Sequence, residues 1–139
     1  MAQTVEFLFD TGLERYKAGE EAASLIPVFK EVCDRAPETS SAWICLSWLY
    51  LLDNQPRLAA KAARRAVKLN PQDPQARINL AMSMLEIGEK GLRPHIDMAK
   101  QLIFVNEEWE KEINDSIADG LSRKPDWQSL QKVKTWLSE

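Results

Sequence analysis

The sequence predicts an all-α protein, a stack of antiparallel helical hairpins, on three observations. Bulky residues and prolines recur at a spacing of 34: Phe9 and Trp43, Tyr16 and Tyr50, Pro37 and Pro71. Proline and glycine punctuate the chain at intervals that mark off about seven or eight helices. No alternation of apolar and polar residues marks a strand. A repeat this short cannot bury its own apolar face, so successive copies must stack on one another.

Each helix follows from local signals. Thr4 to about Ala18 forms the first, which stops at Gly19. Beyond Glu20 and Glu21, Ser24 is placed to cap the second, with Pro27 in its first turn, and the helix runs to Arg35 and stops before Pro37. Ser40 or Ser41 opens the third, AWICLSWLYLL, which closes near Asp53. Pro56 presets the first turn of a fourth, which runs to about Leu69 and ends at Asn70 and Pro71. Asp73 and Pro74 start a fifth through about Ile87, and the loop GEKG leads to Pro94 and a sixth to about Val105. From Glu107 onward Trp109, Ile113, Ile117 and Leu121 recur at four-residue spacing; beyond Pro125 a last helix carries Trp127, Leu130, Val133 and Leu137. Each of these two has one apolar stripe. A stack needs an end piece that covers its last hairpin and turns a polar side to water, and they have that form. The expected organisation is a single domain over 1–139, with hairpins at 6–39, 40–73 and 74–107, the third degenerate with a loop insertion, and capping helices over 108–139.

Bulk properties narrow the function classes. A chain of 139 residues that is 45% hydrophobic suits one domain, large enough to bury roughly two thirds of its unfolded surface. The two cysteines, Cys33 and Cys45, fall in different helices without CxxC spacing, which fits a reducing compartment and points to the cytoplasm. The start MAQTVEFLFDTGLE lacks the basic residues and apolar run of a signal peptide. No stretch approaches the ~18 apolar residues of a membrane span. A soluble protein is expected, with membrane association at most peripheral. With 18 basic and 21 acidic side chains, the net charge of -3 gives no global attraction to nucleic acid or anionic lipid.

In the middle hairpin, Ser40 to Asp73, a set of residues stands at a telling spacing: Trp43, Leu46, Ser47, Tyr50, Ala59, Ala66 and Pro71. They fill large, large, small, aromatic, small, small and proline positions in that order, and the hairpin resembles a tetratricopeptide repeat. Ser47 and Ala59 are small where two helices must approach closely, while Trp43 and Tyr50 fill the space between hairpins. Truncating a buried Trp43 would cost ~3–5 kcal/mol. In the first hairpin Phe9, Tyr16, Phe29, Val32 and Pro37 fit, but Gly12 and Leu13 invert the large-then-small order and Leu25 replaces alanine. The third keeps Leu80 and Ala81, places Met84 in the aromatic slot, and has Glu107 for the closing proline. The resemblance covers about residues 6–107.

The resemblance implies a right-handed superhelical stack whose first helices line a concave groove for an extended or helical peptide. By position, the groove would take Asp10, Thr11 and Glu14 from the first hairpin. From the second it would take Ile44, Cys45, Trp48, Leu51 and Leu52, and from the third Gln75, Ile78, Asn79, Met82 and Leu85. The third helix is apolar nearly all round, so both of its faces need cover. Either the final helix with Trp127, Leu130 and Val133 folds back into the groove, or a partner segment with apolar anchors at i, i+3 and i+7 occupies it. Asp10 and Glu14 would favour a basic flank on that partner. One version of the family grips a chaperone's C-terminal carboxylate with lysine, asparagine and arginine. The matching positions here hold Asp10, Glu14, Cys45, Gln75 and Asn79, which supply no cation, so a carboxylate-clamp chaperone is disfavoured as partner.

Other chemistry finds less support. Arg57, Lys61, Arg64, Arg65 and Lys68 form a basic stripe on the fourth helix, either a solvated face or a docking site for an acidic protein or membrane surface. No aromatic residue interleaves with the stripe on that face, which makes single-stranded nucleic acid a weak reading. The lone His95 follows Pro94 and reads as a surface or cap residue. Glu107, Glu108, Glu110, Glu112 and Asp115 read as a solvated helix N-terminus. No catalytic residue, metal ligand or cofactor motif stands out. The expected function is a non-enzymatic adaptor, scaffold or assembly chaperone that holds an apolar peptide or amphipathic helix. A secretion subunit or a membrane-complex assembly intermediate, photosynthetic ones included, would supply such a segment. The alternatives are a self-associating structural module and a peripheral docking protein that uses the fourth-helix stripe.

Overall fold

The computed structural model describes residues 3–139; Met1 and Ala2, part of the N-terminal reading above, lie outside them. The described residues form eight helices and no strand. They are α1 (Val5–Lys17), α2 (Ala22–Arg35), α3 (Ser40–Leu52), α4 (Pro56–Leu69), α5 (Pro74–Ile87), α6 (Arg93–Phe104), α7 (Glu107–Arg123) and α8 (Gln128–Ser138).

Their ends follow capping chemistry. Thr4 Oγ1 accepts the Phe7 N–H at 3.1 Å, Asp73 accepts from Gln75 and Ala76 at 2.8 and 3.3 Å, and Asn106 accepts from Glu108 at 3.0 Å. Each satisfies donors that the first turn leaves without a partner. Gly88 closes α5 at φ 75°, and Asn54, just past α3, adopts φ 59°. Glycine and asparagine are the residues that tolerate this left-handed turn. The second helix departs from expectation: α2 begins at Ala22 behind Glu21, so Ser24 lies inside it and Pro27 sits beyond its first turn. Two consecutive alanines, the best helix formers, extend it backwards past the expected cap. Likewise, Trp127, expected within the last helix, stands just outside α8 as its N-cap.

Successive helices pack on one another, α1 with α2, α3 with α4, α5 with α6, and α3 also meets α5 in the next layer. Small residues set the spacing. Ala59, Ala62, Ala63 and Ala66 of α4 are all buried, letting that helix lie close to its neighbours α3 and α5. At Gly12 a Cβ would stand 2.9 Å from the Phe29 ring, so glycine admits the close approach of α1 and α2, and Phe9 meets the same ring edge-on at 5.8 Å. The inverted order at Gly12 and Leu13 therefore still places its small residue at the crossing. Trp43 departs from expectation: it is half-buried, with Nε1 donating to the Pro37 carbonyl at 3.0 Å, so the figure for a fully buried tryptophan overstates its truncation cost.

The C-terminal pair does more than cover the last hairpin. α8 packs on both α5 and α6, and α7 on α6 and α5. Ile113, Ile117, Trp127, Leu130 and Val133 join one core cluster with Trp48, Leu51, Ile78 and Met82. At Gly120, in the last turn of α7, a Cβ would stand 2.7 Å from Leu130 and 2.8 Å from Trp48. Trp127 lies against Trp48 with ring centroids 5.2 Å apart. Its Nε1 and the Ser129 hydroxyl both donate to one carboxylate oxygen of Glu86, at 2.9 and 2.6 Å.

Candidate functional site

The face of α3 that the sequence left without a cover is covered by two different agents along its length. Toward its C-terminus, Trp48 and Leu51 are buried under the chain's own tail. Toward its N-terminus, Ile44 and Cys45 stay half-buried and form the floor of a cavity of about 540 Å³ that also reaches Trp48. Leu13 and Tyr16 of α1 make one wall, and α7 makes the opposite wall with Asp115, Ser116 and Asp119.

A polar clasp closes the rim where α7 meets α1. The Tyr16 hydroxyl donates to the Asp119 carboxylate and accepts from Trp48 Nε1 at 2.9 Å. The Arg123 guanidinium lies 3.7 Å above the Tyr16 ring, donates to the Glu20 carbonyl at 3.2 Å and to the Tyr16 carbonyl, and pairs with Asp119 at 3.2 Å. Burial, then the bond to Asp119, raises the Tyr16 pKa further above its already alkaline range. The hydroxyl therefore stays a donor at neutral pH. Burial also pushes the Cys45 thiol up to about 12 and the Cys33 thiol up to about 12, so neither is a thiolate at neutral pH.

The residues mapped to the groove fall into three groups. Ile44, Cys45, Trp48 and Gln75 line the cavity. Leu51, Ile78, Asn79 and Met82 are buried within the chain itself. Asn79 serves the stack: its Nδ2 donates to Ser47 Oγ at 2.9 Å and to the Ile44 carbonyl at 3.2 Å, while its Oδ1 accepts from Gln75 at 2.7 Å. This fully bonded amide locks α3 to α5 and is not presented to a partner. Leu52 and Leu85 are half-buried, as is Thr11, and Asp10 and Glu14 are exposed on α1. Sequence mapping missed Leu13, Tyr16 and the α7 wall. One signal was present: a glycine inside an amphipathic helix, Gly120, marks a close approach.

The basic stripe is divided. Arg64 pairs with Glu89 and Arg65 with Glu38 at 3.5 Å, while Arg57, Lys61 and Lys68 are exposed and have no ion-pair partner among the described residues. The expectation that no aromatic residue accompanies the stripe is corrected. A second groove of about 780 Å³ between α2 and α4 is lined by Lys61, Arg65 and Lys68 together with Trp43 and Tyr50. The aromatics come from α3, so α4's own sequence does not reveal them. His95 is half-buried, its Nδ1 3.0 Å from an Arg77 nitrogen. Burial, then the charges of Arg77 and Arg64, lower its pKa.

Among the described residues, no three His, Cys, Asp or Glu side chains come together to hold a metal, and no helix is long and apolar enough to cross a membrane.

Residues 40–83 match the tetratricopeptide repeat family. No curated protein matches the chain. Among solved structures, the chain resembles the type III secretion translocator chaperone SycD of Yersinia enterocolitica. The TM-score is 0.70 at 18% identity, covering 89% of this chain and 94% of that one. It also resembles PcrH, solved in complex with the chaperone binding region of PopD, with a TM-score of 0.69 at 15% identity over 94% and 92% of the two chains. The first tetratricopeptide domain of Spaghetti (RPAP3), bound to an HSP90 peptide, superimposes with a TM-score of 0.58 at 15% identity over 100% and 97%. At such identities the likeness is one of fold. Residues 40–83 are thus a tetratricopeptide repeat, and the chain around them folds as a stack of tetratricopeptide-type hairpins.

Proposed function

We propose that the protein is a non-enzymatic interaction adaptor or assembly chaperone that holds an apolar segment of another protein in the cavity between α1, α3 and α7. The observation that carries this reading is the cavity itself, about 540 Å³ with Ile44, Cys45 and Trp48 as its floor. Its size suits a few side chains of a peptide or helix. The carboxylates on its walls are committed within the chain, Asp119 to Tyr16 and Arg123 and Asp115 to Lys111 at 2.8 Å. Lys17, exposed, is the one charged lining group without an ion-pair partner among the described residues. An apolar anchor therefore fits it better than a charged one. PcrH and Spaghetti, of the same fold, were solved with segments of partner proteins, which supports peptide holding as the use of such a stack.

The partner is a segment with apolar anchors and a basic flank, the flank facing the exposed Asp10 and Glu14 of α1. Secretion subunits and membrane-complex assembly intermediates, photosynthetic ones included, present segments of this kind. A chaperone's C-terminal carboxylate is a poorer fit, because Asn79 is buried and bonded within the chain and the other clamp-equivalent positions carry no cation. Burial holds both thiols protonated, which argues against a thiolate nucleophile.

The test is capture from native lysate with wild type, Ile44→Glu and Leu13→Glu in parallel. Both residues are half-buried, so the variants should keep wild-type helicity while losing the specific partners. If every partner survives both substitutions, the cavity is not the holding site. Trp48 is unsuitable as a probe, since it packs against Gly120 and Trp127 and its replacement would unseat the tail.

A further inference from the structure

On the other side of α3, Trp43, Leu46 and Tyr50 share a face at i, i+3 and i+7 and floor the groove of about 780 Å³ between α2 and α4. Leu58, 44% exposed, stands on its rim. Three lysines in its lining, Lys30, Lys61 and Lys68, have no ion-pair partner among the described residues, and Asp34 is the one carboxylate there. An occupant must therefore bring an apolar anchor flanked by acidic groups.

The same chain exposes such an element. Phe104 and Val105, at the turn between α6 and α7, are 89% and 78% exposed, far more than any other large apolar side chain described. Immediately after them Glu107, Glu108 and Glu110 fill the first turn of α7, and none forms an ion pair among the described residues. Within one molecule the corner does not reach the groove: α6 packs on α5, α5 on α4, and Phe104 stands in solvent.

We infer that the groove between α2 and α4 seats the Phe104–Val105 corner of a second copy of this chain, with Lys30, Lys61 and Lys68 facing Glu107, Glu108 and Glu110. The contact is heterologous: each copy keeps one free corner and one free groove, so assembly continues past the dimer unless the rotation closes a ring. It leaves the cavity on the opposite face of α3 untouched, so an assembled row would present several holding sites at once. The charged half of the contact lies at the surface, which makes it sensitive to ionic strength.

Sedimentation of the full-length chain tests this with two double variants. One removes the corner, Phe104→Asp with Val105→Asp; the other reverses the groove, Lys61→Glu with Lys68→Glu. All four residues are exposed, so helicity and melting temperature should match wild type. Wild-type mass should rise with concentration and fall with added salt, and each variant alone should associate at least about tenfold more weakly. Mixed in equal amounts, the two variants should form a dimer and nothing larger, because one retains the groove and the other the corner. A wild type monomeric at every concentration would overturn the proposal. So would variants that assemble like wild type, or a mixture that stays monomeric.

Discussion

The two halves of the concave face of α3 begin as the same kind of surface and end differently. Around Trp48 and Leu51 the chain's own tail closes down and makes core; around Ile44 and Cys45 a cavity stays open. The difference is written on α7. Ile113, Ile117 and Gly120, at helical spacing, are its buried stripe and meet the closed half. Asp115, Ser116 and Asp119, on the adjoining stripe, face the open half. Polar side chains cannot settle onto an apolar floor without losing their water, so the helix that seals one half holds the other open.

The largest test breaks the closed half. Trp127 is nearly fully buried between Trp48 and Glu86, and Trp127→Ala should cost about 3–5 kcal/mol in urea unfolding. It should also expose Trp48, seen as faster solvent exchange of its indole N–H, which is bonded to the Tyr16 hydroxyl in wild type. A loss no larger than that of an exposed substitution would mean that the tail rests on the groove without contributing to the core.

Gly120 gives a test whose sign matters more than its size. Alanine in place of glycine inside a helix ordinarily stabilises by about 1 kcal/mol. Here the added Cβ would meet Leu130 and Trp48 at 2.7 and 2.8 Å, so Gly120→Ala should destabilise instead, by about 1–3 kcal/mol. A gain in stability would show that α7 does not lie so close to Trp48. On the open half, Ile44→Glu should cost less than about 1 kcal/mol while removing partner capture. A large stability loss there would erase the distinction between the two halves.

The helices were legible because proline, glycine and capping residues act within a few positions of the chain. The repeat was legible at Trp43, Ser47, Tyr50 and Ala59 because hairpin packing depends on residues about a dozen apart. Closure of the groove was not, since Tyr16 and Asp119 are separated by 103 positions and no local pattern pairs them. Composition could say only that α3 needed a cover on both faces. Ile44, Cys45, Trp48 and Gln75 fell on the cavity by position alone, while Leu51, Ile78 and Met82, chosen by the same rule, went to the tail. The choice between a partner and the chain itself rested on Gly120, whose missing side chain acquires meaning only beside Trp48.

The smallest expected effect separates the groove from the stack beneath it. His95 on α6 accepts from Arg77 on α5, away from both halves, and its pKa lies below the ordinary 6.5. As pH falls through 6.5 the unfolded chain takes up this proton before the folded chain does. Stability that is full at neutral pH is therefore lost progressively until the lower folded pKa is passed. Asp73 acts in the opposite sense at lower pH: burial raises its folded pKa above 3.8, so protonation there favours the folded state. Measurements kept above the carboxylate range isolate the histidine. Between about pH 7.5 and about pH 5.5 the wild-type melting temperature should fall slightly, and His95→Gln should flatten that slope without moving the Trp48 indole N–H signal in NMR spectra. An unchanged slope would assign the pH dependence to other groups. A change in the Trp48 indole N–H signal with pH that depends on His95 would mean that the hairpin of α5 and α6 and the tail open together, and the closed half of the groove would then share its stability with the stack.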